Sequence, residues 1–500
     1  MKRVTYFADK NYKVGEVDPN LFGSFIEHLG RAVYTGIYEP DHPLADEDGF
    51  RKDVMELVKE LNVPIVRYPG GNFLSGYDWT DGIGPIDKRP TRLDLAWRTT
   101  EPNEVGIDEF MKWANKSNIE PMLAVNLGTG TPKEAGNLVE YCNHPGNTYW
   151  SDLRIKNGHK DPHNVKVWCL GNEMDGPWQI GQLSAEDYGK KAREAAKIMK
   201  WVDPTIKLVA CGSSSAEMPT FPEWDRVVLE HLYEHVDYIS CHRYYENLGN
   251  VNDFLGSFAD MDNFIKTIAS TADYVQAKNR SKKKMYISFD EWNVWYQKKV
   301  ELKDWEIAPP ILEDNYSLLD ALVFGGLMCT LLQHVDRVKM ASLAQLVNVI
   351  APIFTQKGGP AFKQTIFYPF FQVSNYGRGE VLNTLVDAPT METNKHGEIP
   401  LVQSSTTYNP EDNTLSIFAL NCSEDDDLLL DAQFRSFGSV KIIDHLVMDG
   451  PDLYATNNFD SPDNIKPKKY DISSEAGEQL EIKLPKMSWN MIRLQCETKL

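Results

Sequence analysis

The chain has no apolar run long enough to cross a bilayer, no Cys-x-x-Cys pair and no surplus of basic residues, and each shortage removes a class of function. Without about 20 consecutive apolar residues there is no candidate transmembrane helix. Lys and Arg number 52 against 72 Asp and Glu, a formal net charge of −20, so the summed field repels nucleic-acid phosphates and anionic membrane surfaces. A neutral sugar is indifferent to that field. The seven cysteines, Cys142, Cys169, Cys211, Cys241, Cys329, Cys422 and Cys496, are odd in number and unpaired in spacing, which reads as free thiols in a reducing compartment. Cys169, Cys211 and Cys241 lie in apolar strand-like runs, where a thiol packs as a small hydrophobe. At the N-terminus Lys2 and Arg3 are followed only by Val4 to Ala8 before Asp9, short of a secretory apolar region. A cytoplasmic setting is expected. There is also no low-complexity tract.

What is present suits a folded protein of two domains. At 500 residues the chain exceeds one average domain, and 42% hydrophobic against 25% charged residues is enough to build a sizeable core. Eight strand-like runs, Leu21 to Leu29, Val63 to Gly70, Pro121 to Leu127, Val165 to Asn172, Ile206 to Gly212, Val236 to His242, Met285 to Glu291 and Val338 to Leu346, alternate with segments of helical spacing. Those segments are marked by Val54, Leu57, Val58 and Leu61; Phe110, Met111 and Trp113; Tyr188, Ala192, Ala195 and Met199; Val227, Leu229, Leu232 and Tyr233; Phe264, Ile268 and Tyr274; and Leu318, Leu319, Leu322 and Leu331. Regular β-then-α alternation predicts a parallel sheet, and eight repeats predict closure into an α/β (β/α)8 TIM barrel over residues 18–375. An open doubly wound sheet is the runner-up, but no Gly-x-Gly-x-x-Gly follows the first strand. Beyond Tyr376 the texture changes to short alternating runs separated by Asn409-Pro, Asp449-Gly-Pro and Ser461-Pro-Asp, the pattern of an all-β sandwich over 376–500. Val4 to Ala8 reads as a strand that joins it, so residues 1–17 are assigned there too.

In a parallel barrel all strands aim their C-terminal ends at one face, so residues remote in sequence converge. Those ends are polar here: Glu27 and His28; Arg67 and Asn72; Asn126; Asn172 and Glu173; His242, Arg243 and Tyr244; Glu291; Gln345 and Asn348. Trp79, Trp97, Trp178, Trp292 and Trp295 accompany them. Carboxylates, amides and indoles around one mouth suit a carbohydrate, whose hydroxyls need paired donors and acceptors and whose ring faces pack on indole.

Two carboxylates suffice for glycoside hydrolysis, one protonated to donate to the leaving oxygen and one ionised to attack the anomeric carbon. Glu173 is assigned as the acid, on a tight turn beside Trp178 where desolvation favours the protonated form. Glu291 is assigned as the nucleophile, its charge favoured by Arg67 and Tyr244 if they reach it. A separation of ~5 Å implies retention of configuration and roughly 6.5–9.5 Å implies inversion. Two other readings use different residues. His231-Leu-Tyr-Glu-His235 has the spacing of an inverted zinc-peptidase motif, but its helix follows the fifth strand on the outer ring, with no third ligand in evidence. A non-catalytic carbohydrate-binding protein would have lost one carboxylate, and both are here. No metal and no organic cofactor is expected.

Gly171-Asn-Glu-Met-Asp-Gly176, Phe289-Asp-Glu-Trp-Asn293, Arg67-Tyr-Pro-Gly-Gly-Asn72, Gly23-Ser-Phe-Ile-Glu-His28 and Ala344-Gln-Leu-Val-Asn-Val-Ile-Ala-Pro352, in order on five strands, resemble the α-L-arabinofuranosidases of glycoside hydrolase family 51. The likeness runs over the whole chain. It implies an exo-acting, retaining double displacement that releases terminal α-L-arabinofuranosyl residues from arabinose-containing oligosaccharides or polysaccharides, with Glu173 as acid/base and Glu291 as nucleophile. It further implies that Glu27, Asn72, Asn172 and Gln345 hold the furanose hydroxyls, that Arg67, His242 and Tyr244 position the carboxylates, and that Trp97 and Trp295 wall the pocket. Members are usually intracellular and commonly hexameric, so a homo-oligomer is expected. A β-xylosidase or endo-glycanase shares the same barrel and carboxylates; a groove open at both ends marks the endo enzyme and a pocket closed at one end the exo enzyme.

Overall fold

The computed structural model describes residues 1–297, 305–472 and 475–497. Eight strands close into a barrel: Gly23–Phe25, Ile65–Tyr68, Glu120–Val125, Val167–Leu170, Lys207–Ala210, Tyr238–Tyr245, Tyr286–Val294 and Val338–Ala344. Every neighbouring pair is parallel. All eight fall within or overlap the runs expected from sequence. Each is largely buried on both faces, which is why it reads as a continuous apolar run rather than an alternating one. The first is cut short because Pro19–Phe22 forms a 3-10 turn, its Asp18 side chain accepting from the Asn20 N–H. Below the mouth the barrel is filled by Ile65, Met122, Ala124, Val167, Cys169, Val209 and Met340, a packed interior rather than a pore.

The six expected helical segments are helices, among them Lys52–Glu60, Ala185–Val202 and Ser257–Asn279. Two more, Pro132–Asn143 and Tyr149–Lys156, fill the third crossover. The helix Leu318–Gln333 is exceptional: all but its last residue are buried. One side packs on the barrel and another on the remaining strands, where a Cβ at Gly325 would lie 2.3 Å from the Trp489 ring. A helix apolar all round is what such a double interface requires.

Apart from the separate pairs Arg92–Asp94 with Thr99–Glu101 and Ile353–Thr355 with Ala361–Lys363, most strands outside the barrel form two facing sheets. One is four-stranded, in the order Leu385–Asp387, Lys2–Phe7, Leu428–Gln433, Gln479–Leu484. The N-terminal strand lies within it, parallel to Leu428–Gln433 from Lys2↔Leu428 onward. The other is larger and is built around Val402–Asn409, Thr414–Asn421, Ser488–Cys496 and Val440–Met448; its edge also carries Lys13–Glu16. Val4, Tyr6, Ile417, Leu430, Ile482 and Ile492 meet between the sheets. A separate hairpin, Thr390–Thr393 with Gly397–Pro400, stands off both.

Two barrel strands are longer than the rest and irregular near the mouth. Register shifts fall between Ser240 and His242 in the sixth strand and between Phe289 and Trp292 in the seventh, and His242 is paired opposite Glu291. In a regular strand consecutive side chains point to opposite faces. The bulge removes that constraint, so Asp290 and Glu291, neighbours in sequence, both reach His242.

Candidate active site

One cavity of about 930 Å³ opens at the C-terminal end of the barrel and is lined by Glu27, Asn72, Trp97, Glu173, Tyr244, Glu291, Trp295 and Gln345 among others. Glu173 and Glu291 face each other across it. One oxygen of each, together with a ring nitrogen of His242, falls in a group whose atoms all lie within 4.8 Å of one another.

Glu291 is held by charge and hydrogen bonds. Arg67 Nη1 donates to its Oε1 at 2.7 Å and the Tyr244 hydroxyl to its Oε2 at 2.8 Å. Arg67 is 1% exposed. Burial alone would lower the guanidinium pKa, but the charges of Glu291 and Asp290 raise it well above its ordinary value, so the cation is permanent. Tyr244 is pushed up too, by burial and then by Glu291 and Glu173, and stays a donor. The other Arg67 arm donates to Asn172 Oδ1 at 2.6 Å, while Asn172 Nδ2 donates to Gln179 Oε1 at 3.2 Å. Asn172 is therefore turned into the wall behind Arg67 and does not line the cavity.

Glu173 sits at a local backbone irregularity. It takes φ = 40°, and Gly171 two residues before it takes φ = 93°; the left-handed region is uncommon for a residue with a Cβ. The fourth strand ends at Leu170, and this turn swings the carboxylate over the mouth. Its Oε1 meets His242 Nδ1 at 2.8 Å and its Oε2 accepts from the Trp178 indole N–H at 2.5 Å. Trp178 is 49% exposed and meets Glu173 through its polar N–H. The desolvating aromatic neighbour expected from sequence is instead a ring half in solvent that meets Glu173 through a donor and not through an apolar face.

His242 bridges the two carboxylates, its Nδ1 also lying 3.5 Å from Glu291 Oε2, and its Nε2 is 2.9 Å from Asp290 Oδ1. Burial would lower its pKa, but Glu291, Asp290 and Glu173 outweigh it and push the imidazole up to about 10. It is a cation enclosed by three carboxyl groups. Asp290 was not legible as a site residue, because strand alternation places it on the face opposite Glu291.

Glu27 differs in environment. Its Oε1 accepts from Phe73 N–H and Trp97 Nε1, each at 2.9 Å, and its own N–H donates to Gln345 Oε1 at 3.0 Å. Burial, which outweighs those two donors, pushes its carboxyl up to about 8, so near neutral pH it keeps a proton it can offer to a hydroxyl. Trp295 stands edge-on to Tyr244, ring centroids 5.0 Å apart, with its buried Nε1 unpartnered.

The remaining polar strand ends are occupied elsewhere. His28 joins Glu101 and Tyr68. Asn126 accepts from the Gly128 and Gly130 N–H groups and so holds a turn. Asn348 bonds Arg31 O and Thr355. Trp79 packs at a tilt against Tyr141 and Trp150, and Trp292 against Phe324. His231 pairs with Glu186 on the outer helices, away from the cavity.

Glu27 and His242 both keep a proton in the folded state beyond the pH at which a free group releases it, at about 4.5 and 6.5 respectively. Their stabilising contributions are complete below those values and disappear as pH rises through about 8 and about 10. The difference in thermal midpoint between Glu27→Gln and the parent is expected to shift in favour of the variant as pH climbs through the Glu27 window. A difference that is flat with pH, or that moves the other way, contradicts the proton on Glu27.

Residues 57–278 match the family model described as "Alpha-L-arabinofuranosidase 1 domain", and residues 290–488 the one described as "Alpha-L-arabinofuranosidase C-terminal domain". The chain is 56% identical over 501 residues to the intracellular exo-α-(1→5)-L-arabinofuranosidase 1 of Bacillus subtilis, with 99% of each chain covered. It is 46% identical to an exo-α-(1→6)-L-arabinofuranosidase of Bifidobacterium longum, over 98% of this chain and 96% of the relative. The solved structure of AbfB, a family 51 α-L-arabinofuranosidase from Bifidobacterium longum, superposes with a TM-score of 0.94 at 43% identity, 99% of both chains covered.

Proposed function

Because the chain belongs to the α-L-arabinofuranosidases of glycoside hydrolase family 51, we propose that it releases terminal α-L-arabinofuranosyl residues by double displacement, with Glu291 as nucleophile and Glu173 as acid and base. The observation that carries this reading is the approach of the two carboxylates across the cavity, one oxygen of each within 4.8 Å of the other. That close approach supports a direct attack by Glu291 and a covalent intermediate rather than the wider spacing that inversion uses.

In the first step a Glu291 oxygen attacks the anomeric carbon, the glycosidic C–O bond breaks, and the Glu173 proton passes to the leaving oxygen. In the second, Glu173, now a carboxylate, takes a proton from water; the water oxygen attacks the same carbon and the ester bond to Glu291 breaks. Arg67 and Tyr244 keep the nucleophile anionic. In the free protein both Glu173 oxygens have a partner, Trp178 Nε1 on Oε2 and His242 Nδ1 on Oε1. Glu27, Asn72, Trp97, Trp295 and Gln345 form the sugar pocket, and Asn172 and His242 support it from behind.

The relative's name supports exo action on α-L-arabinofuranosyl linkages and an intracellular setting, compatible with seven free, buried thiols; we take arabinose-containing oligosaccharides and polysaccharides as the substrates. We take residues 18–375 as the catalytic unit, 1–17 with 376–500 as the β-sandwich unit, and a homo-oligomer, hexameric by resemblance, as the assembly. Hydrolysis of aryl α-L-arabinofuranosides followed by NMR tests the mechanism: the sugar released first should have the anomeric configuration of the substrate. Release of the opposite anomer first would overturn it.

A further inference from the structure

Besides Glu173, His242 and Glu291, a second set of histidines and a carboxylate converges elsewhere in the fold. The ligand atoms of Asp108, His159 and His163 all lie within 4.8 Å of one another. None of the three lines the catalytic cavity. Asp108 stands in the first turn of the helix Ile107–Ser117, and both histidines lie in the segment between the helix Tyr149–Lys156 and the fourth barrel strand.

Part of this cluster needs no metal to explain it. Asp108 is 2% exposed, and a buried carboxylate requires partners for its oxygens. His163 Nε2 lies 2.9 Å from its Oδ1, and the Tyr141 hydroxyl donates to its Oδ2 at 2.7 Å. Tyr141 is steadied in turn by Asn157 Nδ2 at 3.1 Å. His159 is left over. Its Nε2 is 3.7 Å from Asp108 Oδ2, too far for a hydrogen bond, and among the described residues its ring has no hydrogen-bond partner. Yet the backbone holds it in place. The His159 N–H donates to the Arg154 carbonyl and Arg154 Nε to the His159 carbonyl, each at 3.1 Å, while the His163 N–H donates to the Cys142 carbonyl at 2.7 Å. The two imidazoles sit side by side, ring centroids 5.1 Å apart, and both turn Nε2 toward one carboxylate. The His159 side chain is 20% exposed, which gives a small ion a way in from solvent.

We propose that Asp108, His159 and His163 form a zinc site, one ion per chain, that ties the 157–165 segment to the helix Ile107–Ser117. Two imidazoles and a carboxylate suit Zn²⁺, which takes nitrogen and oxygen ligands at about 2.0–2.2 Å in a tetrahedron. Such bonds put ligand atoms roughly 3.3–3.5 Å apart, between the 2.9 Å and 3.7 Å found here. Closing on the ion therefore asks His163 to retreat by about half an ångström and His159 to advance by less. The ion takes the place of the proton between His163 and Asp108, and water on the His159 side completes the tetrahedron. Tyr141 keeps its hold on the carboxylate, as an outer-shell donor that orients a ligand. Calcium and magnesium, which call for more oxygen ligands, fit this set poorly. The charges of Lys112 and Arg154 act on the cluster and oppose the ion, which sets the expected Kd at about micromolar rather than nanomolar. The ion's part is structural; hydrolysis by Glu173 and Glu291 does not use it.

The test titrates the full chain, stripped with a chelator and dialysed, with ZnCl₂ by isothermal calorimetry, and follows the thermal midpoint with and without zinc. The parent is expected to bind one zinc per chain and to melt higher in its presence. His159→Ala removes no hydrogen bond from the ring, so without metal it should melt with the parent. It should nevertheless bind zinc at least about tenfold more weakly and lose the thermal shift, since a ligand is worth no less than the 10–100-fold of an outer-shell partner. His163→Ala should lose the shift too, and should melt lower without metal because Asp108 is deprived of a partner. A parent that binds no zinc overturns the site, as does an affinity unchanged in both variants. Zinc that persists in the variants and inhibits aryl arabinofuranoside hydrolysis also overturns it, being an adventitious ion only, held by Glu173, His242 and Glu291.

Discussion

Glu291→Ala should abolish turnover of every arabinofuranoside, lowering kcat on the order of 10⁴-fold or more, because no second group can form the covalent intermediate. A mechanism-based furanosyl inactivator should then leave the protein mass unchanged, whereas the parent gains one sugar on the peptide that contains Glu291. Labelling of another carboxylate in the parent would reassign the nucleophile. The alanine also strands two buried cations: Arg67, 1% exposed, loses the partner 2.7 Å away, and His242 loses one of its three carboxyl neighbours. Breaking a buried pair from one side costs about 3–5 kcal/mol, so some loss of activity could reflect unfolding. Glu291→Gln separates the effects. Its amide oxygen can still accept from Arg67 and the side chain keeps its volume, so it should melt above the alanine variant, although the charge facing Arg67 and His242 is gone, and be as inactive as the alanine.

Glu173→Ala should sort substrates by leaving group. With arabino-oligosaccharides, whose alkoxide leaves only when protonated, kcat/KM should fall by about 10²–10⁴-fold. With aryl arabinofuranosides carrying an acidic phenol, kcat/KM should stay within about tenfold of the parent, since the first step needs little protonation. Their kcat should still drop, because no base remains to activate water and the glycosyl-enzyme accumulates. Azide, a nucleophile that needs no base, should restore kcat and yield an arabinofuranosyl azide. An equal loss of kcat/KM on both substrate types would remove Glu173 from the acid role.

How much of this could be read from the chain varies with how local the signal is. The eight barrel strands were legible because strands buried on both faces must be continuous apolar runs, and Val167–Leu170 and Lys207–Ala210 are short enough to leave little else in them. The helix Pro132–Asn143 was missed although it has a start signal, Thr131 and Glu134 capping each other's N–H groups; its apolar positions make only a weak stripe. The polar hairpin 390–400 lacks the hydrophobic alternation that would mark its strands in sequence. At the site, Glu173 stands where the fourth strand opens into a loop, which composition reveals, whereas Glu291 lies within the seventh strand at its register shift, so the strand runs past the end expected from sequence. Asp290 is not revealed, since its role depends on a register shift between strands that no local pattern records. The same holds for the inward turn of Asn172 toward Arg67 and Gln179: direction at a strand end is set by what lies across the barrel.

The helix Leu318–Gln333 touches apolar surface on both sides, with the Trp489 ring seated where Gly325 lacks a side chain. For protein engineering this means that the barrel is not an interchangeable cassette. A truncated catalytic fragment would bare an oily rod along its flank and precipitate, and a chimera with a foreign all-β module would need a matching socket for that tryptophan.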